Sequence, residues 1–144
     1  MSLYVVDACV AVKWYLPEDE TVSALQVVNG LNELHVPDFF LIETDNILCK
    51  HVRRGLIRAE QANAFRRLLR DVPMRIHAVL EFQDEAFDLA VRTGRSIYDC
   101  LYLALAVRLG GQMVTADRRL YDSLADGPFG QYLAWVGNIG ENNR

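Results

Sequence analysis

Five short runs in this chain read as β-strands, and every stretch between them carries helical spacing. The runs are Leu3–Val6, Leu34–Val36, Arg75–Val79, Gln112–Thr115 and Gln131–Val136. Strands separated by helices are not hairpins. A crossover of helical length brings the next strand in parallel to the last. Parallel sheets are covered on both faces. The alternation therefore predicts a three-layer α/β/α sandwich with a central parallel sheet.

The punctuation places the helices. One is expected from Ala8 to Leu16, stopped by Pro17. A second starts after Glu18-Asp19-Glu20, where the helix dipole favours acids, and ends near Gly30. A third runs from Phe39 to Arg54, with Asp38 as N-cap and Gly55 as stop. A fourth covers Arg58–Asp71 and is broken by Pro73. A fifth spans Glu81–Arg92 and closes at Gly94; a sixth runs from Ser96 to Gly110-Gly111. The last is Asp117–Leu124. At 144 residues the chain reads as one domain, residues 1–137, with a polar tail over 138–144.

Composition excludes several classes. The three cysteines, Cys9, Cys49 and Cys100, form no C-x-x-C pair and are expected as buried free thiols. The N-terminus has neither a basic n-region nor a long apolar run, and Leu101–Leu109 is too short to span a bilayer. The expectation is a soluble cytoplasmic protein. Net charge is −4, yet Lys50, Arg53, Arg54, Arg58, Arg66, Arg67, Arg70 and Arg75 crowd one segment opposed only by Glu60 and Asp71. A local basic stretch on an acidic protein can still hold phosphates. Its other reading is a solvated helix face.

Four acids stand among apolar neighbours: Asp7 after Tyr4-Val5-Val6, Glu43 after Phe39-Phe40-Leu41-Ile42, Asp99 before Cys100-Leu101-Tyr102, and Asp117 after Met113-Val114-Thr115-Ala116. Each has a local alternative. Asp7 and Asp117 fit helix N-caps. Asp99 completes a capping box with Ser96. Glu43 is placed to pair with Lys50 or Arg54. Gathered together, the four would repel by roughly 3 kcal/mol per pair at about 6 Å. A hard divalent cation with oxygen ligands removes that cost. It also acidifies water and neutralises phosphoryl charge. Ligands in open α/β sheets bind beyond the carboxyl ends of the strands, and Asp7 and Asp117 both follow such ends. The chemistry indicated is phosphodiester hydrolysis.

These segments resemble PIN-domain proteins, and within them the VapC-type toxins of prokaryotic toxin–antitoxin pairs. Val5-Val6-Asp7-Ala8-Cys9-Val10-Ala11-Val12-Lys13-Trp14 looks like their first strand and helix. Glu43-Thr44-Asp45-Asn46-Ile47-Leu48 resembles their E-x-x-N-x-L helix, with Arg53-Arg54-Gly55 beyond it. Tyr98-Asp99-Cys100-Leu101-Tyr102-Leu103-Ala104-Leu105-Ala106 and Val114-Thr115-Ala116-Asp117-Arg118-Arg119-Leu120 are similar to their two later motifs. The resemblance runs in order from Leu3 to Val136. It implies a PIN-like sandwich and Mg²⁺ or Mn²⁺ held by Asp7, Glu43, Asp99 and Asp117, with Asn46 and Thr115 supporting the site. It further implies RNA cleavage, a homodimer and a cognate antitoxin. Cys9 departs from the Ser or Thr common in that position, and a thiol is the weaker hydrogen-bonding group.

The mechanism expected is attack on phosphorus by an activated water, leaving 3′-hydroxyl and 5′-phosphate ends. Arg53, Arg54 and Arg58 are the candidates for holding RNA backbone. Two alternatives stand beside it. One is a catalytically weak PIN-like domain that binds RNA or a partner. The other is a metal-free ribonuclease using histidines, which would leave a cyclic phosphate. His35, His51 and His77 sit in no motif and are expected at the surface or at strand edges. A phosphoacceptor receiver domain is disfavoured, because a single Asp7 follows the first strand and the only lysines are Lys13 and Lys50.

Overall fold

The computed structural model describes residues 2–140. Strands β1 (Leu3–Val6), β2 (Glu33–Pro37), β3 (Arg75–His77), β4 (Gln112–Thr115) and β5 (Leu133–Trp135) form one sheet in the order β3-β2-β1-β4-β5. Every pairing is parallel. Tyr4 lies between Leu34 and Gln112, and Val5 between His35 and Met113. The chain winds outward from β1 through β2 to β3, then returns to the far side of β1 to place β4. The strand order therefore reverses between β1 and β4, and a crevice opens at their carboxyl ends.

The helices are α1 (Ala8–Ala11), α2 (Thr21–Val27), α3 (Phe40–Arg53), α4 (Ala59–Arg70), α5 (Gln83–Thr93), α6 (Ile97–Leu109) and α7 (Arg118–Leu124). Gly94 and Gly110 end α5 and α6 in the left-handed conformation that glycine tolerates, with φ of 72° and 68°. The first helix is shorter than expected. After Ala11 the chain tightens into a 3-10 turn over Val12–Trp14. Its apolar residues belong to the core: Val10, Ala11, Val12 and Leu16 are all buried. The third strand of the expected series, β3, is also short, because a 3-10 turn takes over at Val79–Glu81. A further 3-10 turn, Val136–Asn138, follows β5. Most of the tail expected from residue 138 lies outside the described residues.

Helix α6 is the axis of the core. All residues from Cys100 to Ala106 are buried, so the helix is apolar around its whole circumference, as an internal helix must be. It packs on β1, β2, β4 and α5. Of the thiols, Cys100 is buried as expected and Cys9 is partly buried, but Cys49 is exposed on α3. It borders a cleft shared with Ala59 and Ala62 of α4, because α4 covers that side of α3 incompletely. No helix among the described residues is long and apolar enough to cross a membrane.

If α6 carries the core, Leu105, which is fully buried, is a sensitive position. Leu105→Ala should cost about 2–5 kcal/mol. Urea unfolding followed by circular dichroism should show a lower midpoint with an unchanged slope.

Candidate active site

Asp7 is the residue at which β1 leaves the sheet. Its backbone N–H still reaches the Val114 carbonyl of β4 at 3.2 Å. Although it precedes α1, its side chain caps nothing there. The carboxylate instead accepts a hydrogen bond from Thr115 Oγ1 at 2.9 Å, and the residue is 6% exposed. Burial first, and the Glu43 charge second, raise its pKa to about 7. Hydrogen bonds from Cys9 and Thr115 oppose that rise.

Thr115 is shared between two acids. Its hydroxyl donates to Asp7 and accepts the backbone N–H of Asp117 at 3.0 Å. Cys9 lies against the same corner. Its sulfur accepts from Ala116 N–H at 3.4 Å and stands 3.9 Å from Thr115 Oγ1. Burial and the Asp7 charge push the thiol pKa well up, so Cys9 adds no negative charge.

Glu43 lies in the first turn of α3. Among the described residues it pairs with neither Lys50 nor Arg54. Those side chains project from the far end of α3, and Glu43 turns toward α6. Its Oε2 accepts from the Tyr102 hydroxyl at 2.6 Å. Burial raises the Glu43 pKa, the Tyr102 bond lowers it and the Asp99 charge raises it again. Burial, reinforced by the Asp7 and Glu43 charges, drives the Tyr102 pKa upward and keeps the phenol a donor.

Asp99 is the third residue of α6. The Ser96 side chain caps the helix by accepting Asp99 N–H at 3.1 Å. The returning half of the expected capping box is not formed. The Asp99 carboxylate faces Arg95 instead, with Nη2 to Oδ2 at 3.6 Å. Burial is the main cause raising the Asp99 pKa; Arg95 lowers it, and Asp117 adds to the rise. Asp117 does cap α7, accepting Leu120 N–H at 3.1 Å. Charge thus couples Asp7 to Glu43 and Asp99, Glu43 to Asp99, and Asp99 to Asp117 at the reversal point of the sheet.

The supporting residues fare differently. Asn46 is exposed and lines the same cavity as Glu43 and Asp99. Arg53, Arg54 and Arg58 are exposed. Arg53 comes ten residues after Glu43, about 15 Å along the helix. Arg66 is spent on Asp45, at 2.7 and 3.1 Å. The histidine expectation needs correction. His35 is not at the surface but on inner strand β2, 2% exposed, with its two ring nitrogens bonded to His77 at 2.8 Å and Glu33 at 2.7 Å. It has no nitrogen left for a substrate. Tyr102 and Arg95 escaped the sequence reading as site residues. Tyr102 had a signal, since it lies three residues after Asp99 and so shares its helix face. Arg95 had none.

Residues 4–124 match the model of the PIN domain. The chain belongs to the PIN-domain family. It is 37% identical over 118 residues to ribonuclease VapC3 of Pyrobaculum aerophilum, covering 81% of this chain and 90% of that one. The crystal structure of PAE2754 from Pyrobaculum aerophilum superposes with a TM-score of 0.71 at 20% identity, covering 96% of this chain and 86% of that one. A toxin–antitoxin complex from Klebsiella pneumoniae matches with a TM-score of 0.63 at 14% identity, covering 94% and 98%. These structures share the PIN sheet and its helical layers.

PIN-domain chemistry raises the question of a metal. Among the described residues, no three His, Cys, Asp or Glu side chains are grouped to hold an ion as they lie. Each carboxylate has a partner of its own: Thr115, Tyr102, Arg95 or the Leu120 N–H. The donor chemistry nonetheless fits a hard divalent cation. It is all oxygen, and burial, with charge repulsion added to it, lifts three of the pKa values, a cost that a bound cation offsets.

The raised pKa of Asp7 has a measurable consequence without metal. Between the ordinary carboxyl pKa of 3.8 and about 7, Asp7 keeps a proton in the fold that it loses when unfolded. Stability therefore falls as pH rises through that window, by at most about 1.4 kcal/mol per pH unit for one group. Glu43 and Asp99 act in the same direction. In EDTA, the melting temperature should be lower at pH 8 than at pH 5, and Asp7→Asn should remove much of that difference. A wild-type profile identical to that of Asp7→Asn would show that Asp7 does not titrate in this range.

Proposed function

We propose that this chain is a divalent-metal-dependent endoribonuclease, the toxin of a cytoplasmic toxin–antitoxin pair. The observation that carries the proposal is the chain of four carboxylates, coupled by charge from Asp7 through Glu43 and Asp99 to Asp117, at the reversal point of a PIN sheet. The likeness to a protein named ribonuclease VapC3 supports RNA as the substrate. The toxin–antitoxin complex of the same fold supports a protein inhibitor. Phe87 and Val91, one helical turn apart on α5, are 65% and 69% exposed. They offer apolar surface for the second copy of a homodimer.

Asp7, Glu43, Asp99 and Asp117 are the residues to hold Mg²⁺ or Mn²⁺, which when bound supplies a Lewis acid for the phosphoryl group and for water. Thr115 fixes the rotamer of Asp7, and Tyr102 fixes that of Glu43. The Tyr102 bond occupies Oε2 of Glu43, leaving Oε1 to take the proton that the attacking water sheds. Attack in line with the 3′ oxygen breaks the P–O3′ bond, and the proton taken up by Glu43, passed on through water, reaches the departing oxygen to give 3′-hydroxyl and 5′-phosphate ends. Arg53 at the end of α3, Arg54 just past it and Arg58 at the start of α4 are placed to touch the RNA backbone away from the cut. There they add affinity rather than sequence choice.

The test is cleavage of a labelled structured-RNA pool by purified protein with Mg²⁺ or Mn²⁺, set against EDTA and Asp99→Asn. Cuts bearing 5′-phosphates should vanish in both controls. Tyr102→Phe, which removes only the hydroxyl positioning Glu43, should lower the rate about 10- to 100-fold. Cleavage that survives EDTA and Asp99→Asn, or cyclic-phosphate ends, would sink the four-acid mechanism.

A further inference from the structure

Beside the acids lies a cavity of about 520 Å³ whose other walls the hydrolytic chemistry does not use. Glu43 and Asp99 border it together with Phe39, Ile42, Tyr98, Asn46 and Ser96. No lysine or arginine lines it, so it is not built to hold phosphate by charge. It offers a flat apolar surface and neutral hydrogen-bonding groups.

The flat surface is Tyr98, which immediately precedes Asp99 in α6 and is 62% exposed. The ring is braced from one side. Phe39 packs against it at 6.0 Å and 70°, and Phe39 is itself seated on Tyr102 at 5.2 Å and 74°. Core packing therefore accounts for one side of Tyr98 and leaves most of the ring in solvent, next to a carboxylate of the site. Ile42 extends the open apolar wall. The polar groups are the Asn46 amide, which can both donate and accept, and the Ser96 hydroxyl. Ser96 Oγ already accepts Asp99 N–H, and its own proton remains to be given.

A ligand matching this cavity is planar and aromatic, polar at its edge, and joined to a group that the acids process. We propose that the cavity is a nucleobase subsite, in which an unpaired base next to the scissile phosphate stacks on Tyr98 and presents its edge to Asn46 and Ser96. The proposal rests on the ribonuclease reading above and deepens it. Bases inside a duplex have no free face to stack, so the subsite selects unpaired nucleotides at the cut. Stacking on one aromatic side chain tolerates every base. Any preference among bases must then come from Asn46 and Ser96.

The experiment uses a fluorescent single-stranded oligoribonucleotide spanning a mapped cut, and the same oligonucleotide with an abasic site beside that cut. Binding is read by anisotropy in Ca²⁺, and cleavage in Mg²⁺ or Mn²⁺. Tyr98→Ala should raise Kd and KM about 5- to 100-fold with kcat little changed. Tyr98→Phe should stay within about 2-fold of wild type. The abasic site should cost wild type as much as the substitution does, and cost Tyr98→Ala nothing further. Thermal melts check that the exposed substitution leaves the fold intact. The subsite is overturned if Tyr98→Ala binds and cuts like wild type while wild type cleaves RNA, or if the abasic site penalises both proteins equally. Loss of self-association in Tyr98→Ala with RNA binding untouched would overturn it in favour of a protein contact. A wild type that neither binds nor cuts RNA would remove the ribonuclease reading as well.

Discussion

Strands β1 and β4 end side by side with a buried carboxylate between their termini, and much of the molecule is arranged around the cost of keeping it there. Asp7 cannot move away, because its own N–H is tied to Val114 in the β1–β4 ladder. It cannot be well solvated, because it is almost wholly buried. What remains is local compensation. Thr115 supplies one hydroxyl bond and, through the same oxygen, anchors Asp117 at the mouth of α7. The pairing of two strands thus fixes two of the four acids, and one threonine links them.

The other two acids come from opposite helical layers and meet through α6. Because that helix is buried on all sides, its rotation and height are set by the core. Asp99 and Tyr102, three residues apart, inherit that placement. Tyr102 then reaches across to Glu43 on α3. A side chain that packs as core at its ring and bonds at its hydroxyl converts packing order into site order. Stability and site are therefore opposed at the acids and aligned at α6. Removing an acid relieves repulsion, whereas loosening α6 harms both.

This division explains what could be read in advance. An apolar run ended by a charge is visible as a string, and it located Asp7 and Asp117; period and capping residues located α3 and α6 around Glu43 and Asp99. Partners across the fold were not visible. Periodicity tells which face a residue takes, not what meets it there. So the local alternative for Glu43, a cation on its own helix, fails, because its partner is a tyrosine from another. His35 carried no mark of burial: Glu33 stands two residues back on its own strand, but His77 reaches it only once β2 and β3 pair in register. The arginine-rich segment around Arg53 is legible as a string, yet ten residues of helix separate Arg53 from Glu43. The break of the first helix at Ala11 likewise left no local trace, since Val12–Trp14 remain apolar and helix-compatible as sequence.

Cys9 shows how far a departure from a family pattern can be judged by geometry. A Ser or Thr at that position would offer a stronger donor near Asp7. Here the strong donor is Thr115, reaching in from β4 at 2.9 Å, while the Cys9 sulfur accepts from Ala116, stands 3.9 Å from Thr115 Oγ1 and adds a weaker bond to Asp7. The thiol also stays neutral beside Asp7, so it does not deepen the repulsion among the acids. In this corner it fills space, holds the turn after β4 and only supplements the bond to Asp7. A weak donor suffices for that, because the orientation of Asp7 has already been settled by the neighbouring strand.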